Sequence, residues 1–391
     1  MLNTSLSPWP SFTQEEADAV SKVLLSNKVN YWTGTECREF EKEFAAFAGT
    51  QYAVALSNGT LALDVALKAM GIGAGDDVIV TSRTFLASAS CIVTAGANPV
   101  FADVDLNSQN ISAETIKAAL TPKTKAIIVV HLAGMPAEMD GIMDLAKEHN
   151  LWVIEDCAQA HGAKYKGKSV GSIGHVGAWS FCQDKIMTTG GEGGMVTTND
   201  KELWSKMWSY KDHGKSYDAV YHREHAPGFR WLHESFGTNW RMMEMQAVIG
   251  RIQLKRMPEW TARRQAHAAK LAESLGKFAS IRLIEVADYI EHAQYKFYAF
   301  VKPEHLKEGW TRDRIVGELN ARKVPCYQGS CSEVYLEKAF DNTPWRPKER
   351  LKNAVELGDT SLMFLVHPTL TDDEIAFCKE HIEAVLAEAT A

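Results

Sequence analysis

Residues 180–194 read SFCQDKIMTTGGEGG and carry a lysine, Lys185, between an apolar run and a glycine-rich turn. The flanking runs Ala178–Phe181 and Gly194–Thr198 have the composition of buried strands. A lysine on a short connection between strands can point into a cleft, where loss of water favours its uncharged, nucleophilic form. The stretch therefore predicts a sheet whose loop presents a reactive amine.

A carboxylate follows another apolar strand pattern. Residues Leu151–Glu155 read LWVIE, and Asp156 comes next. A pyridine aldehyde cofactor needs a lysine for a Schiff base and an acid that keeps the ring nitrogen protonated. Lys185 and Asp156 together predict pyridoxal 5′-phosphate (PLP) as the cofactor.

Strand-like runs alternate with helix-like segments from residue 52 to residue 200. The predicted strands are Tyr52–Leu56, Asp77–Thr81, Pro99–Val104, Lys125–His131, Leu151–Glu155, Ala178–Phe181 and Gly194–Thr198. Because helices separate them and they are apolar on both sides, we expect an α/β fold with a mostly parallel sheet flanked by helices. Ligands then bind at the carboxyl ends of the strands.

The remainder of the chain predicts a second, smaller unit. A long helical pattern from Trp240 to Leu275, broken only at Pro258, leads to alternating short strands and helices. We expect a large cofactor-binding domain over residues 51–257, a small α+β C-terminal domain over residues 258–391, and an N-terminal segment, residues 1–50, that packs with the small domain. A chain of 391 residues is long enough for two cores.

Charge and cysteine usage exclude several classes of partner. The net charge is −7 and no long basic run occurs, so neither a nucleic acid nor an anionic membrane is an expected partner. No signal peptide or run of about 20 apolar residues is present, which favours the cytoplasm. Seven scattered cysteines indicate free thiols.

A candidate phosphate site follows the first predicted strand. Asn58, Gly59 and Thr60 lie where a strand ends and a helix begins, and the free N–H groups of a helix N-terminus bind phosphate. The alternative is a plain helix cap by Asn58 or Thr60. Beside Lys185 and Asp156, the phosphate interpretation is preferred.

Four further residues lie at or near predicted strand ends. Phe85 could stack on the pyridine ring, although an ordinary core phenylalanine is the usual case. Arg83 could neutralise a substrate phosphate or simply be solvated. Gln159 could reach the phenolic oxygen of the cofactor and Ser180 its phosphate, or both could be satisfied polar groups of the interior.

Histidines crowd the segment from Lys211 to Asn239. The spacing of His222 and His225 suggests a metal, but no cysteine or carboxylate completes a ligand set, so no metal is expected. The glycine and proline content of the segment instead favours a mobile loop over a substrate cleft.

Taken together, these motifs resemble a known family. The matching stretches are Tyr31–Thr35, Phe40–Phe44, Ser57–Thr60, Glu155–His161, the lysine loop, Gly237–Gln246 and His367–Thr371. The chain resembles the nucleotide-sugar aminotransferases of the DegT/DnrJ/EryC1/StrS family, which have the type I fold of PLP-dependent transferases. The resemblance extends over nearly the whole chain.

The resemblance implies roles for the ring-contacting residues. It assigns the Schiff base to Lys185, the pyridine nitrogen to Asp156 and ring stacking to Phe85. Gln159 is the implied contact of the phenolic oxygen.

The resemblance also implies which residues bind the phosphate of the cofactor. Gly59, Thr60 and Ser180 match the phosphate-binding positions of one subunit. Asn239 matches the position that reaches the cofactor phosphate of the neighbouring subunit, which implies a homodimer with shared active sites.

The implied activity is transfer of an amino group from an amino acid, with L-glutamate as the expected donor, to a keto group of a nucleotide-linked deoxysugar for surface-polysaccharide or glycoconjugate synthesis. A keto-cyclitol aminotransferase, a sugar dehydratase and a non-catalytic regulator on the same fold are the alternatives. Dehydratases of the family carry histidine in place of the lysine, so Lys185 argues against them.

Two stretches depart from the family pattern. The turn after the lysine has an extra glycine, Gly190-Gly191, which affects the loop geometry. The substrate-side stretch of the small domain reads PCYQGSC over residues Pro325–Cys331, which leaves the sugar unidentified.

Overall fold

The computed structural model describes residues 6–225, 227 and 231–391. The helices are α1 Gln14–Leu25, α2 Glu36–Ala48, α3 Gly59–Ala69, α4 Ala87–Thr94, α5 Ala113–Ala119, α6 Met139–Glu148, α7 Lys201–Lys211, α8 Tyr217–Tyr221, α9 Glu244–Leu275, α10 Arg312–Ala321, α11 Lys352–Thr360 and α12 Asp372–Ala389. The strands are β1 Tyr52–Leu56, β2 Asp77–Thr81, β3 Asn98–Ala102, β4 Thr124–Val130, β5 Trp152–Asp156, β6 Lys164–Tyr165, β7 Lys168–Ser169, β8 Val176–Ser180, β9 Gly194–Thr198, β10 Ile281–Leu283, β11 Ile290–Glu291, β12 Phe297–Val301, β13 Cys326–Tyr327 and β14 Ser361–Phe364.

The central sheet has seven strands in the order β1-β9-β8-β5-β4-β2-β3. The pairs from β8 through β5, β4 and β2 to β3 are parallel, whereas β9 runs antiparallel to both of its neighbours. The strands are almost entirely buried because apolar clusters cover both faces of the sheet. The predicted mostly parallel sheet flanked by helices is confirmed.

The sheet brings three chain segments to one edge. Parallel β5 and β8 end there at Asp156 and Ser180. The pairing of Leu56 with Gly194 places the end of β1 beside the start of β9. Strand-end residues from distant parts of the chain therefore share one site.

A second sheet, β10-β12-β14-β13, is antiparallel and packs with α10 and α12 around its own apolar cluster. It forms the predicted small α+β unit. A third, three-stranded sheet pairs β11 with β6, so residues after α9 return to the large sheet region. The exact domain boundaries stay a prediction.

The long helix α9 runs without interruption through Pro258, and the predicted break there is wrong. A proline inside a helix removes one hydrogen bond and costs about 3 kcal/mol relative to alanine. Packing against α1, α2 and α12 compensates for this cost, which a purely local rule cannot include.

The N-terminal segment is divided between the two sheets. Ser7 donates its backbone N–H to Glu374 on α12, and Thr369 donates its hydroxyl to the carbonyl of Pro8. In contrast, Phe40 and Phe44 of α2 are buried in the core of the central sheet. Packing with the small domain, which was expected for residues 1–50, is thus seen at the start of the described chain, whereas α2 packs in the large core. Residues 1–5 lie outside the described residues. None of the described helices is both long and apolar enough to cross a bilayer.

Candidate active site

Lys185 is held on the loop between β8 and β9. Its backbone N–H donates to the carbonyl of Cys182 at 3.1 Å, and Trp9 Nε1 donates to the carbonyl of Lys185 at 2.8 Å. The Lys185 Nζ lies 5.3 Å from the ring centroid of Tyr295. The backbone is therefore anchored from both sides while the amine faces an aromatic wall.

The extra glycine of the lysine loop occupies a sharp turn. Gly190 and Gly191 have φ values of 88° and 125°, which only glycine adopts without strain. A Cβ on Gly190 would lie 2.9 Å from Ile249 Cδ1 on α9. The turn is therefore built for two successive glycines.

Asp156 lies at the end of β5 and is 6% exposed. Ser88 Oγ donates to Asp156 Oδ2 at 2.8 Å, and the N–H of Ala158 donates to Oδ1 at 3.1 Å. Burial raises the pKa of Asp156, although the hydroxyl of Ser88, the N–H of Ala158 and the charge of Lys185 oppose this effect. The two residues predicted to act together are thus close enough to interact.

A buried polar network supports this strand. His131 Nδ1 accepts the N–H of Ala137 at 3.0 Å, so its Nε2 faces Glu155 Oε2 at 2.9 Å as a donor. Burial would raise the pKa of Glu155, but hydrogen bonds from His131 and from backbone N–H groups hold it below its usual value. The His131 N–H donates to the carbonyl of Asp156, which fixes the strand end.

This network also contains the trio His131, Glu155 and Cys157, whose ligand atoms lie within 4.8 Å. It is the only such group found among the residues that the structure describes. Glu155 is already hydrogen bonded to three backbone N–H groups, and burial raises the pKa of the Cys157 thiol well above its usual value. These features are typical of a structural network.

The predicted phosphate site combines the start of α3 with the end of β8. The Asn58 side chain accepts the N–H of Leu61 at 3.0 Å and therefore caps helix α3. This is the helix-cap role that the sequence allowed as the alternative to phosphate binding. A Cβ on Gly59 would lie 2.5 Å from Ser180 Cβ. Ser180 Oγ accepts the N–H of Cys182 at 3.3 Å, which leaves its hydroxyl hydrogen for a phosphate oxygen. Thr60 is exposed in the first turn of the helix.

Phe85 is 71% exposed on a loop clamped by the small domain. The N–H of Thr84 donates to the carbonyl of Cys331 at 3.1 Å, and the N–H of Val334 donates to the carbonyl of Ser82 at 2.9 Å. An exposed aromatic ring on a fixed loop fits a stacking partner better than a core position.

Gln159 follows Asp156 and accepts the N–H of Ala133 at 2.7 Å through Oε1. The bond orients the side chain, and it leaves the amide NH₂ free to donate to an oxygen such as the phenolic oxygen.

Arg83 is not available to a substrate phosphate, and it is not solvated either. It is fully buried, with Nε donating to Gln109 Oε1 at 3.1 Å and Nη2 donating to Ser361 Oγ at 3.2 Å. The role suggested by its position in the sequence is therefore wrong. Arg83 instead links the β2 end to the small sheet.

Asn239 is exposed beside the end of β1. It pairs with Asp212, and the neighbouring Trp240 carbonyl accepts the N–H of Ser57 at 3.0 Å. Its exposure leaves the amide free to meet a second chain, but the contact with a partner's phosphate stays a prediction.

The histidine-rich segment contains the short helix α8, and residues 226 and 228–230 lie outside the described residues. His222 and His225 are both exposed. Its proposed role as a mobile loop over the cleft stays a prediction.

These residues fit PLP. Gly59 approaches Ser180 so closely that residue 59 can carry no side chain, and the Ser180 hydroxyl hydrogen and the start of α3 offer donors to a phosphate. Asp156 and Phe85 offer an acid and an aromatic face. Sequence reasoning missed three residues of the site. Ser88 contacts Asp156, Tyr295 contacts Asp184, and Trp9 contacts the backbone of Lys185. Ser88 gave one weak signal, since it lies a single helical turn after Phe85.

Known proteins match nearly the whole chain. A model of the DegT/DnrJ/EryC1/StrS aminotransferase family matches residues 10–383. The chain is 43% identical over 377 residues to a GDP-perosamine synthase of Escherichia coli O157:H7, covering 95% of this chain and 96% of that protein. It is 42% identical over 363 residues to a UDP-N-acetyl-3-dehydro-alpha-D-glucosamine 3-aminotransferase of Acidithiobacillus ferrooxidans, covering 91% and 90%. An X-ray structure of the aminotransferase from Psychrobacter cryohalolentis gives a TM-score of 0.96 at 66% identity, covering 98% of this chain and 99% of that chain.

Proposed function

Because this chain belongs to the DegT/DnrJ/EryC1/StrS family and is a PLP-dependent aminotransferase with the type I fold, we propose that it moves an amino group from an amino acid to a keto group of a nucleotide-linked deoxysugar. The observation that carries the proposal is that Lys185 lies on the loop after β8 while the buried Asp156 ends the neighbouring parallel strand β5, at the edge where Gly59 approaches Ser180. L-Glutamate is the proposed donor.

The acceptor follows from what the relatives act on. One relative is named for a GDP-linked amino sugar, and another for a UDP-linked 3-dehydro sugar that it aminates. The sugar is attached to a different nucleotide in each, so we propose a nucleotide-linked keto sugar as the substrate class and leave the nucleotide open.

Each side chain then has one task. When bound, PLP supplies the electron sink that stabilises negative charge at the donor α-carbon. With PLP bound, Asp156 would keep the pyridine nitrogen protonated, and the buried hydroxyl of Ser88 fixes the orientation of its carboxylate. Lys185 Nζ removes the α-proton of the donor and returns a proton when the keto group is aminated. Gly59, Thr60 and Ser180 orient the site through the phosphate.

Two half-reactions test the proposal. The purified protein, loaded with PLP, is mixed with L-glutamate, and formation of 2-oxoglutarate is measured. A panel of GDP-, UDP- and dTDP-linked keto sugars is then added, and the amino sugar is identified by mass spectrometry. Absence of the oxo acid would contradict the aminotransferase assignment for this donor, and a deoxygenated product without added nitrogen would indicate sugar dehydration instead.

We also propose that the protein acts as a cytoplasmic homodimer with shared active sites. Trp231 and Phe236 are 91% and 99% exposed close to Asn239 in the sequence. Large apolar side chains exposed in this way mark a surface that a second subunit covers. The free cysteines fit a reducing compartment.

Mixing the inactive Lys185→Ala variant with the Asn239→Ala variant tests the shared site. Asn239→Ala protein should bind PLP more weakly, because a hydrogen bond to a charged acceptor contributes about 1.5–3 kcal/mol. In a heterodimer with Lys185→Ala, one site carries both defects and the other carries neither, so activity should exceed that of either variant alone. A monomer in sedimentation with full PLP occupancy would exclude sharing.

A further inference from the structure

A cavity of about 700 Å³ opens beside the loop that carries Lys185. It lies between the N-terminal segment, the lysine loop and the small sheet, and its lining includes Trp9, Gln183, Asp184, Gly191, Lys296 and His367. Asp184 immediately precedes Lys185 in the chain. One wall of the cavity is therefore part of the loop that carries the reactive amine.

Lys296 forms part of the cavity wall without a carboxylate partner. Its Nζ lies 4.7 Å from the ring centroid of Tyr295, the same ring that Lys185 Nζ contacts at 5.3 Å. None of the described carboxylates forms an ion pair or hydrogen bond with Lys296. The nearest acid in the wall, Asp184, already accepts the hydroxyl of Tyr295 at 2.5 Å.

Arg264 adds a second cation behind Trp9. It is 1% exposed, its guanidinium lies 5.0 Å from the ring centroid of Trp9, and Nη1 donates to the carbonyl of Tyr295 at 3.3 Å. Its Nε and Nη2 have no hydrogen-bond partner among the described residues. A buried cation without an anionic partner is costly unless a ligand supplies the charge.

The charges around the cavity do not balance. Among the described residues, Asp184 is the carboxylate that acts on Lys296, none acts on Arg264, and Lys185 is near both Asp184 and the buried Asp156. Burial would raise the pKa of Asp184, but Lys185, Tyr295 and Lys296 hold it low. Burial lowers the pKa of Lys296 to about 8 and that of Arg264 to about 9, which reflects how little solvent or counter-charge surrounds them. An anion entering the cavity would relieve this imbalance.

We propose that Lys296 binds a carboxylate of the amino donor. The positive charge of Arg264, which lies behind Trp9, strengthens this binding. The inference rests on the proposed function, because the donor must react at Lys185. Every amino acid donor brings a carboxylate into the site, and a dicarboxylic donor brings two. Among the described residues that line the cavity, Lys296 is the lysine or arginine that can meet one of them.

Binding of an inert dicarboxylate tests this without requiring turnover. Glutarate is titrated by calorimetry into the PLP-loaded wild type, Lys296→Met, Lys296→Arg and Lys302→Met. Lys302 is the matched control because it is also half-buried and flanks β12 at the opposite end. We expect Lys296→Met to weaken glutarate binding at least about tenfold, Lys296→Arg to retain most of it, and Lys302→Met to leave it unchanged. Wild-type affinity in Lys296→Met, or no binding by the wild type, would overturn the proposal.

Measuring the two half-reactions separately then distinguishes a role of Lys296 in binding the amino donor from a role in binding the sugar substrate. In Lys296→Met, kcat/KM for L-glutamate should fall at least about tenfold through KM, while amination of the keto sugar should change less than about twofold. A loss confined to the keto sugar would mean that Lys296 binds an anionic group of that substrate, and the donor assignment would be wrong. If the wild type aminates no nucleotide sugar, the proposed function fails, yet the glutarate titration still decides the role of Lys296.

Discussion

Ser88→Ala should reduce kcat/KM about tenfold while the fold and cofactor content stay intact. The hydroxyl donates to Asp156 Oδ2 at 2.8 Å inside the protein. A hydrogen bond to an ionised group contributes about 1.5–3 kcal/mol, which corresponds to about 10- to 150-fold in rate. Asp156 retains the N–H of Ala158 at 3.1 Å and the charge of Lys185, so we expect the lower end of this range.

The pH profile provides a second readout of the same substitution. Burial raises the pKa of Asp156, and Ser88 is among the groups that oppose this rise. An ionised carboxylate supports activity above its pKa, and activity is lost as the pH falls through that value. Removing Ser88 takes away one stabiliser of the ionised form, so the acid limb of kcat/KM should move to higher pH.

The assay is 2-oxoglutarate formation from L-glutamate between acidic and neutral pH. Ser90→Ala is the matched control, since Ser90 is a half-buried serine on the same helix, α4. The reasoning would be refuted if Ser88→Ala kept a wild-type pH profile with kcat/KM within about twofold, or if Ser90→Ala gave the same loss.

Lys185→Ala should abolish transamination without unfolding the protein, and Lys185→Arg should not restore it because a guanidinium stays protonated; wild-type turnover by either variant would disprove the assignment. Asp156→Asn should retain PLP, measured by its visible absorbance, yet lose about 10²–10⁴-fold in kcat, and near-normal half-reaction kinetics would move the electron-sink role to another acid. Gly59→Ala should lose about 1–3 kcal/mol of unfolding free energy in urea, because its Cβ would lie 2.5 Å from Ser180 Cβ. Gly317→Ala, a helical position with open space around its Cβ, should instead gain about 0.5–1 kcal/mol, and equal effects at the two positions would contradict the close approach.

Much of the central sheet could be predicted because its signals are local. The bounds of Tyr52–Leu56, Asp77–Thr81 and Gly194–Thr198 agree with the structure, since each is a short apolar run ended by turn residues. Where tertiary packing opposes a local sequence rule, the prediction made from that rule is wrong. The break expected at Pro258 is absent because neighbouring helices hold α9 continuous.

The sequence by itself determined most strands of the central sheet, the place of Asp156 after one apolar strand and the place of Lys185 on the loop after another, because these signals are local. Only the tertiary structure decided what surrounds them. Arg83 is buried and links the two sheets. Packing also places Lys296 next to the ring of Tyr295, which Lys185 contacts as well. Such contacts join residues far apart in the chain, so they depend on how the elements pack and leave no periodic signal in the sequence.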